Sequence, residues 1–162
     1  MKKFWPRINR FAVALIAVGF AALLQTSVVF DFGGVKPNFT LAALIALSFF
    51  MKERIFYFSA IFFALLILRF KPEFELTALA MVLISGASFF ARNLIPGKPF
   101  INNLILIALG TPVFYLIADP NFVLRDTFTV FEEMFYNVFL GAVFFFAAKR
   151  IFRHEEEFRF TV

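Results

Sequence analysis

The stretch Leu23-Leu24-Gln25-Thr26-Ser27-Val28-Val29-Phe30-Asp31-Phe32-Gly33-Gly34-Val35-Lys36-Pro37-Asn38-Phe39-Thr40-Leu41 ends one apolar run, turns, and opens another. No charged residue lies between Phe11 and Phe30. Twenty helical residues rise about 30 Å, the thickness of the hydrocarbon core of a bilayer. Asp31 and Gly33-Gly34 interrupt the run, and Lys36-Pro37-Asn38 restart the chain. Proline fits a first helical turn and asparagine caps helices, so Pro37 and Asn38 predict the start of a second helix. The stretch reads as a membrane hairpin with a polar cluster, Gln25-Thr26-Ser27, beside its turn.

Composition supports that reading. Of the 162 residues, 62% are hydrophobic, and the mean hydropathy is +0.86. Soluble domains run about 45–50% apolar. The excess is too large for one buried core, so lipid is the expected solvent for much of the surface. There is no cysteine, which excludes disulfides, thiolate metal sites and a cysteine nucleophile. The one histidine, His154, sits in a charged tail. A net charge of +5 suggests nucleic acid only in a soluble protein, and here the aromatic residues lie in apolar runs.

Taken in order, the pattern predicts a single all-α domain of six spans over about residues 11-30, 38-51, 55-69, 76-92, 100-118 and 128-148, with a tail at 149-162. Trp5 reads as an interface anchor. Reading 39–68 as one helix puts Lys52, Glu53 and Arg54 at its centre, at about 2.5–3.5 kcal/mol per charge. A hairpin there, with Lys52 and Arg54 snorkelling, costs less. The short second and third spans imply local bilayer thinning or burial of their ends.

Orientation follows from the cations. With a cytoplasmic amino terminus, the inner segments carry Lys2, Lys3, Arg7, Arg10, Lys52, Arg54, Arg92, Lys98, Lys149, Arg150, Arg153 and Arg159. The outer loops carry Lys36, Arg69, Lys71 and Arg125. Twelve against four predicts six spans with both termini cytoplasmic in the cell inner membrane.

Few residues offer chemistry. Gln25, Thr26 and Ser27 read either as a hydrogen-bonding face for a ligand or partner helix, or as interhelical glue at a helix end. Glu133, Asn137 and Gly141 recur every fourth residue and share a helix face. Intramembrane acids are candidates for function, and Glu132 and Glu133 lie near the outer boundary. Asn102 and Asn103 read as helix-start residues at the membrane interface. Pro112 predicts a kink, with Thr111 satisfying freed backbone groups. Ser85-Gly86-Ala87-Ser88 permits close helix approach. No phosphate loop, metal-ligand spacing or catalytic triad is present, so the expectation is a non-enzymatic protein without cofactor or metal.

Leu24-Gln25-Thr26-Ser27, Gly33-Gly34, Lys36-Pro37-Asn38-Phe39-Thr40-Leu41 and the form Gly34-Val35-Lys36-Pro37 together resemble the MreD family of bacterial rod-shape-determining membrane proteins. The family shows a Leu-Gln near the end of its first span and a Gly-x-x-Pro leading into its second. The resemblance implies a fold similar to the S-components of energy-coupling-factor transporters. It also implies a part in cell elongation and peptidoglycan synthesis, with an MreC-like bitopic protein and peptidoglycan synthases as partners beside membrane lipid. The alternative is a substrate-binding subunit of a vitamin transporter, similar to those S-components. Its outward pocket would draw on Gln25, Glu73, Glu75, Glu133 and Asn137.

Overall fold

The computed structural model describes the backbone of residues 5–27, 29, 34–68 and 76–157, and side chains for these except at 5–9 and 153–157. The expected anchor side chain of Trp5, residues 31–33, the loop with Glu73 and Glu75, and His154 with the end of the tail lie outside the described residues. The described residues form seven α-helices and no strand: α1 (Trp5–Thr26), α2 (Phe39–Ser48), α3 (Arg54–Leu68), α4 (Leu76–Ala91), α5 (Pro99–Ala118), α6 (Pro120–Arg125) and α7 (Thr127–Glu157).

α1 stops at Thr26, four residues before the apolar run does. Its polar end accounts for this. Thr26 Oγ1 donates to the Leu23 carbonyl at 2.8 Å, and Ser27 Oγ accepts from Val29 N–H at 3.2 Å. Such side chains offer the backbone partners outside the helical ladder. Gly34 follows at φ +92°, a conformation that costs glycine little and other residues more. Pro37 precedes α2 and is not in its first turn. Asn38 is the cap, its Oδ1 accepting from Leu41 N–H at 3.0 Å.

α2 is the centre of the molecule. Its sequence, FTLAALIALS, is apolar all round, and all ten residues are buried. A helix with no polar face is a core helix or a lipid-surrounded one; here neighbouring helices enclose it. α1, α3, α4, α5 and α7 all pack on it. The chain leaves α2 through a turn at Phe49–Phe50 and resumes helix at Arg54, so Lys52 and Glu53 lie in a non-helical break.

The helices run antiparallel in sequence order, with α6 a short connector. At one end Phe11 of α1 stacks on Phe56 of α3 at 4.9 Å, and Phe50, just past α2, stacks on Phe152 of α7 at 5.8 Å. Arg92, just past α4, donates from Nη1 to the Met51 carbonyl at 2.9 Å, joining the ends of α2 and α4. Phe100 at the start of α5 packs on Phe146 of α7 at 4.8 Å. At the other end the start of α2 meets α7 through Asn38 and Asn137.

Residues 119–126 read from sequence as a polar loop, and they hold α6. Asp119 Oδ1 caps it by accepting from Phe122 N–H at 3.1 Å, and Pro120 supplies the first helical residue. α5 continues through Pro112, and Thr111 Oγ1 donates to the Ile107 carbonyl at 3.0 Å. α7 runs past residue 148 to Glu157.

Around a core of large apolar residues such as Leu44, Ile107 and Phe145, the outer helices bury small and polar side chains and expose many large apolar ones. α1 buries Ala14, Val18, Ala21 and Ala22 while Ile16, Phe20 and Leu23 are exposed. α7 buries Glu133, Asn137 and Ala148 while Phe131, Phe135 and Phe139 are exposed. In water so many exposed large apolar side chains, with polar ones buried, are unfavourable. In lipid, association needs close backbone approach and hydrogen bonds, and apolar bulk outside costs nothing. Among the described residues, two helices are long and apolar enough to cross a membrane, Pro99–Ala118 and Thr127–Phe152; four other apolar helices are shorter.

Candidate functional site

The inward polar residues gather along the seam between α5 and α7. Tyr115 meets Glu133, Thr111 meets Asn137, and Ile107 with Asn103 meets Gly141. Each step of four residues up α5 matches four residues down α7. That is the register of two antiparallel helices whose facing residues recur once per turn.

Asn137 is the hub and is fully buried. Its Oδ1 accepts from the backbone N–H of Asn38 at 2.6 Å. Its Nδ2 donates to Thr111 Oγ1 at 3.1 Å and to Glu133 Oε1 at 3.2 Å. Thr111 spends its own proton on the Ile107 carbonyl, so it is free to accept from Asn137. Both amide hydrogens and the amide oxygen are therefore used. The bond to Asn38 does further work. A helix start carries N–H groups with no intrahelical partner and the positive end of the helix dipole. The Asn137 carbonyl oxygen, the negative end of its own dipole, sits on that position.

Glu133 is 4% exposed. Oε1 accepts from Asn137, and Oε2 accepts from the Tyr115 hydroxyl. Tyr115 also stacks on Phe122 of α6 at 5.2 Å, which ties the connector helix to the network. One turn below Asn137, the Gly141 carbonyl accepts from Asn103 Nδ2 at 3.1 Å. A Cβ on Gly141 would overlap Ile107 Cδ1, the end of a side chain that would have to turn aside.

Glu133, Asn137 and Gly141 thus lie together on the buried face of α7, and Pro37 is buried beside Asn38. Gln25, Thr26 and Ser27 stand apart. Thr26 and Ser27 bond within their own turn, and Gln25 Oε1 is buried without a partner among the described residues. Glu132 is half-buried and outside the network. Asn102 and Asn103, expected at the interface, are buried; Asn102 Nδ2 donates to the Ile95 carbonyl at 2.8 Å, securing the loop before α5. Ser85 is buried, and its carbonyl accepts from the Tyr57 hydroxyl at 3.1 Å. Sequence reasoning missed Tyr115 altogether, as well as the partnership of Thr111 and Asn38 with Asn137. Residues 103, 107, 111 and 115 are the matching four-residue series on α5, and that spacing was the available signal.

The arrangement can fix helix register and hold a carboxyl group out of contact with bulk solvent. Among the described residues, no three acidic or histidine side chains gather as metal ligands. A cavity of about 40 Å³ between α1, α2 and α7 is lined by apolar residues such as Ala17, Ala43 and Phe144. Fold and site together define an all-helical protein with membrane-type helices joined by a buried polar ladder. Compared with protein-family models, curated proteins and solved structures, the chain matches none.

Proposed function

We propose that this chain is a six-span protein of the bacterial inner membrane, with both termini cytoplasmic, that acts by binding other membrane proteins. By its resemblance to MreD, its place is the cell-elongation and peptidoglycan-synthesis machinery, beside an MreC-like bitopic partner. α1, α2 with its flanking segments, α3, α4, α5 and α7 supply the spans. α2 alone rises only about 15 Å. With its lead-in and exit, however, the segment runs from Asn137 to Phe152 of α7, fifteen residues and about 22 Å along that helix. The outward large apolar residues support a lipid surround, and the contacts of Arg92 with Met51, Phe50 with Phe152 and Phe100 with Phe146 bring the segments that carry Lys52, Arg54, Arg92, Lys98, Lys149 and Arg150 to one end.

The observation that carries the binding role is the use made of Glu133 and Asn137. They join α7 to α5 and α2, as interhelical polar residues do, and leave wide apolar faces for contact with other helices. Reporter fusions after Arg54, Arg92 and Val162 should all read cytoplasmic; an external reading at Val162 would remove the six-span reading.

The partner test uses Gln25→Leu. Gln25 is half-buried at the end of α1, its Oε1 has no partner among the described residues, and it takes no part in the ladder. The variant should insert and unfold like the parent yet co-purify with an MreC-like protein about tenfold less well, the worth of one or two interhelical hydrogen bonds. Unchanged co-purification, or a stoichiometric small molecule found by mass spectrometry in the gently purified protein, would replace this reading with the transporter-subunit one.

A further inference from the structure

We propose that the corner where α3 and α4 meet near Arg54 and Arg92 is a binding site for one anionic phospholipid. The proposal rests on the membrane reading above and goes beyond it, because that reading requires no particular lipid.

Two guanidinium groups are held at this corner on consecutive rings of α4. Arg92 lies 4.1 Å over Phe89 and is tied by Nη1 to the Met51 carbonyl; Arg54 lies 5.5 Å over Phe90. The two rings stand at 90° with centroids 5.6 Å apart, so both cations lie at the same end of α4. Cation–π contact and the carbonyl bond restrict both side chains before any ligand arrives, which reduces the ordering cost of binding. The remaining N–H groups of a guanidinium match phosphate oxygens in pairs. Exposed Lys52 adds a third cation, against half-buried Glu53.

An apolar strip continues from the cations along the bundle. Phe58, Phe62 and Leu66 are exposed on α3 at four-residue spacing, and Leu83 and Phe90 are exposed on α4. Phe58 joins the two rows, its ring 6.3 Å from Phe90 and 3.5 Å from where a Cβ of Gly86 would stand. Paired cations above a strip of apolar side chains match a phosphate headgroup above its acyl chains. The excess positive charge selects an anionic headgroup over a zwitterionic one, whose own cation it repels.

The test is native mass spectrometry of the full chain released from vesicles of phosphatidylglycerol mixed with phosphatidylcholine. The expected result is one retained phosphatidylglycerol. Retention should fall about fivefold in R54Q and about thirtyfold in R54Q/R92Q, from one and two basic side chains near a charged surface. K98Q/R125Q, which removes two cations elsewhere, should retain the lipid as the parent does. R54Q guards against misfolding of the double variant, because Arg54 is exposed and its described contact is a single ring. Undiminished retention in R54Q, equal loss in K98Q/R125Q, or equal retention of phosphatidylcholine by the parent would each overturn the proposal. A failure of the membrane reading shows separately, as an external reporter signal after Arg54.

Discussion

Replacing Asn137 with leucine is expected to destabilise the folded bundle by about 3 kcal/mol, the larger share from polar groups left without partners. Three hydrogen bonds disappear together. Leucine keeps the branching of asparagine but carries bulkier methyl groups, so at this fully buried position crowding adds to the lost polarity. The Asn38 N–H at the start of α2 is left buried without its acceptor, and Glu133 keeps only Tyr115. Reversible unfolding in mixed detergent micelles measures the change. An Asn137→Leu variant that unfolds with the parent would mean that α2 is seated by apolar packing alone.

The companion variant Glu133→Gln separates charge from geometry. Glutamine can still accept from Asn137 through its one oxygen, its amide nitrogen can donate to the Tyr115 hydroxyl oxygen, and it removes the need to bury a carboxylate, which is costly inside a bilayer. Stability within about 1 kcal/mol of the parent is expected if Glu133 serves as a helix contact. A loss as large as that of Asn137→Leu would show that the acid itself is required. The transporter-subunit reading would then gain ground over the partner-binding one.

The hub shows how much the sequence could disclose. The four-residue spacing of Glu133, Asn137 and Gly141 puts them on one helix face from the sequence alone, because periodicity is local information. What they face is long-range information. Asn38 lies 99 residues from Asn137 in the chain, and no pattern in either segment names the other. The charges at Lys52-Glu53-Arg54 marked a break because buried charge is expensive wherever it lies. The central place of α2 was hidden for the opposite reason. A helix that is apolar all round satisfies lipid and protein surroundings equally, so only the assembled neighbours decide between them. α6 was legible in principle, since Asp119-Pro120 is a helix-start signal, but the surrounding polarity resembled a loop. Asn102 and Asn103 lie in the first turns of α5 as the sequence indicates, but their burial could not be read from it, because the carbonyls that hold them lie on other segments.

Tyr57→Ala is expected to cost about 4 kcal/mol, the upper range for truncating a buried aromatic ring. Tyr57 is fully buried on α3. Its ring stacks on Phe89 of α4 at 4.7 Å, and its hydroxyl lies 3.1 Å from the carbonyl oxygens of both Leu44 in α2 and Ser85 in α4. One proton is shared between two acceptors on two helices. α3 packs mainly on α1 and touches α2 and α4 more sparsely, so this side chain is a principal tie of α3 to α2 and α4. Tyr57→Phe keeps the ring and loses only the hydroxyl, and should cost about 1 kcal/mol, because helical carbonyls already have ladder partners. The two variants divide the stabilisation between packing and hydrogen bonding, and hydrogen exchange locates it. In Tyr57→Ala the backbone amides of α3 should exchange faster, while those of α5 and α7, joined by their own polar ladder, keep most of their protection. Equal acceleration in all the helices would mean that the bundle unfolds as one unit. A Phe variant as damaged as the Ala variant would place the stabilisation in the shared proton and not in the stacked ring.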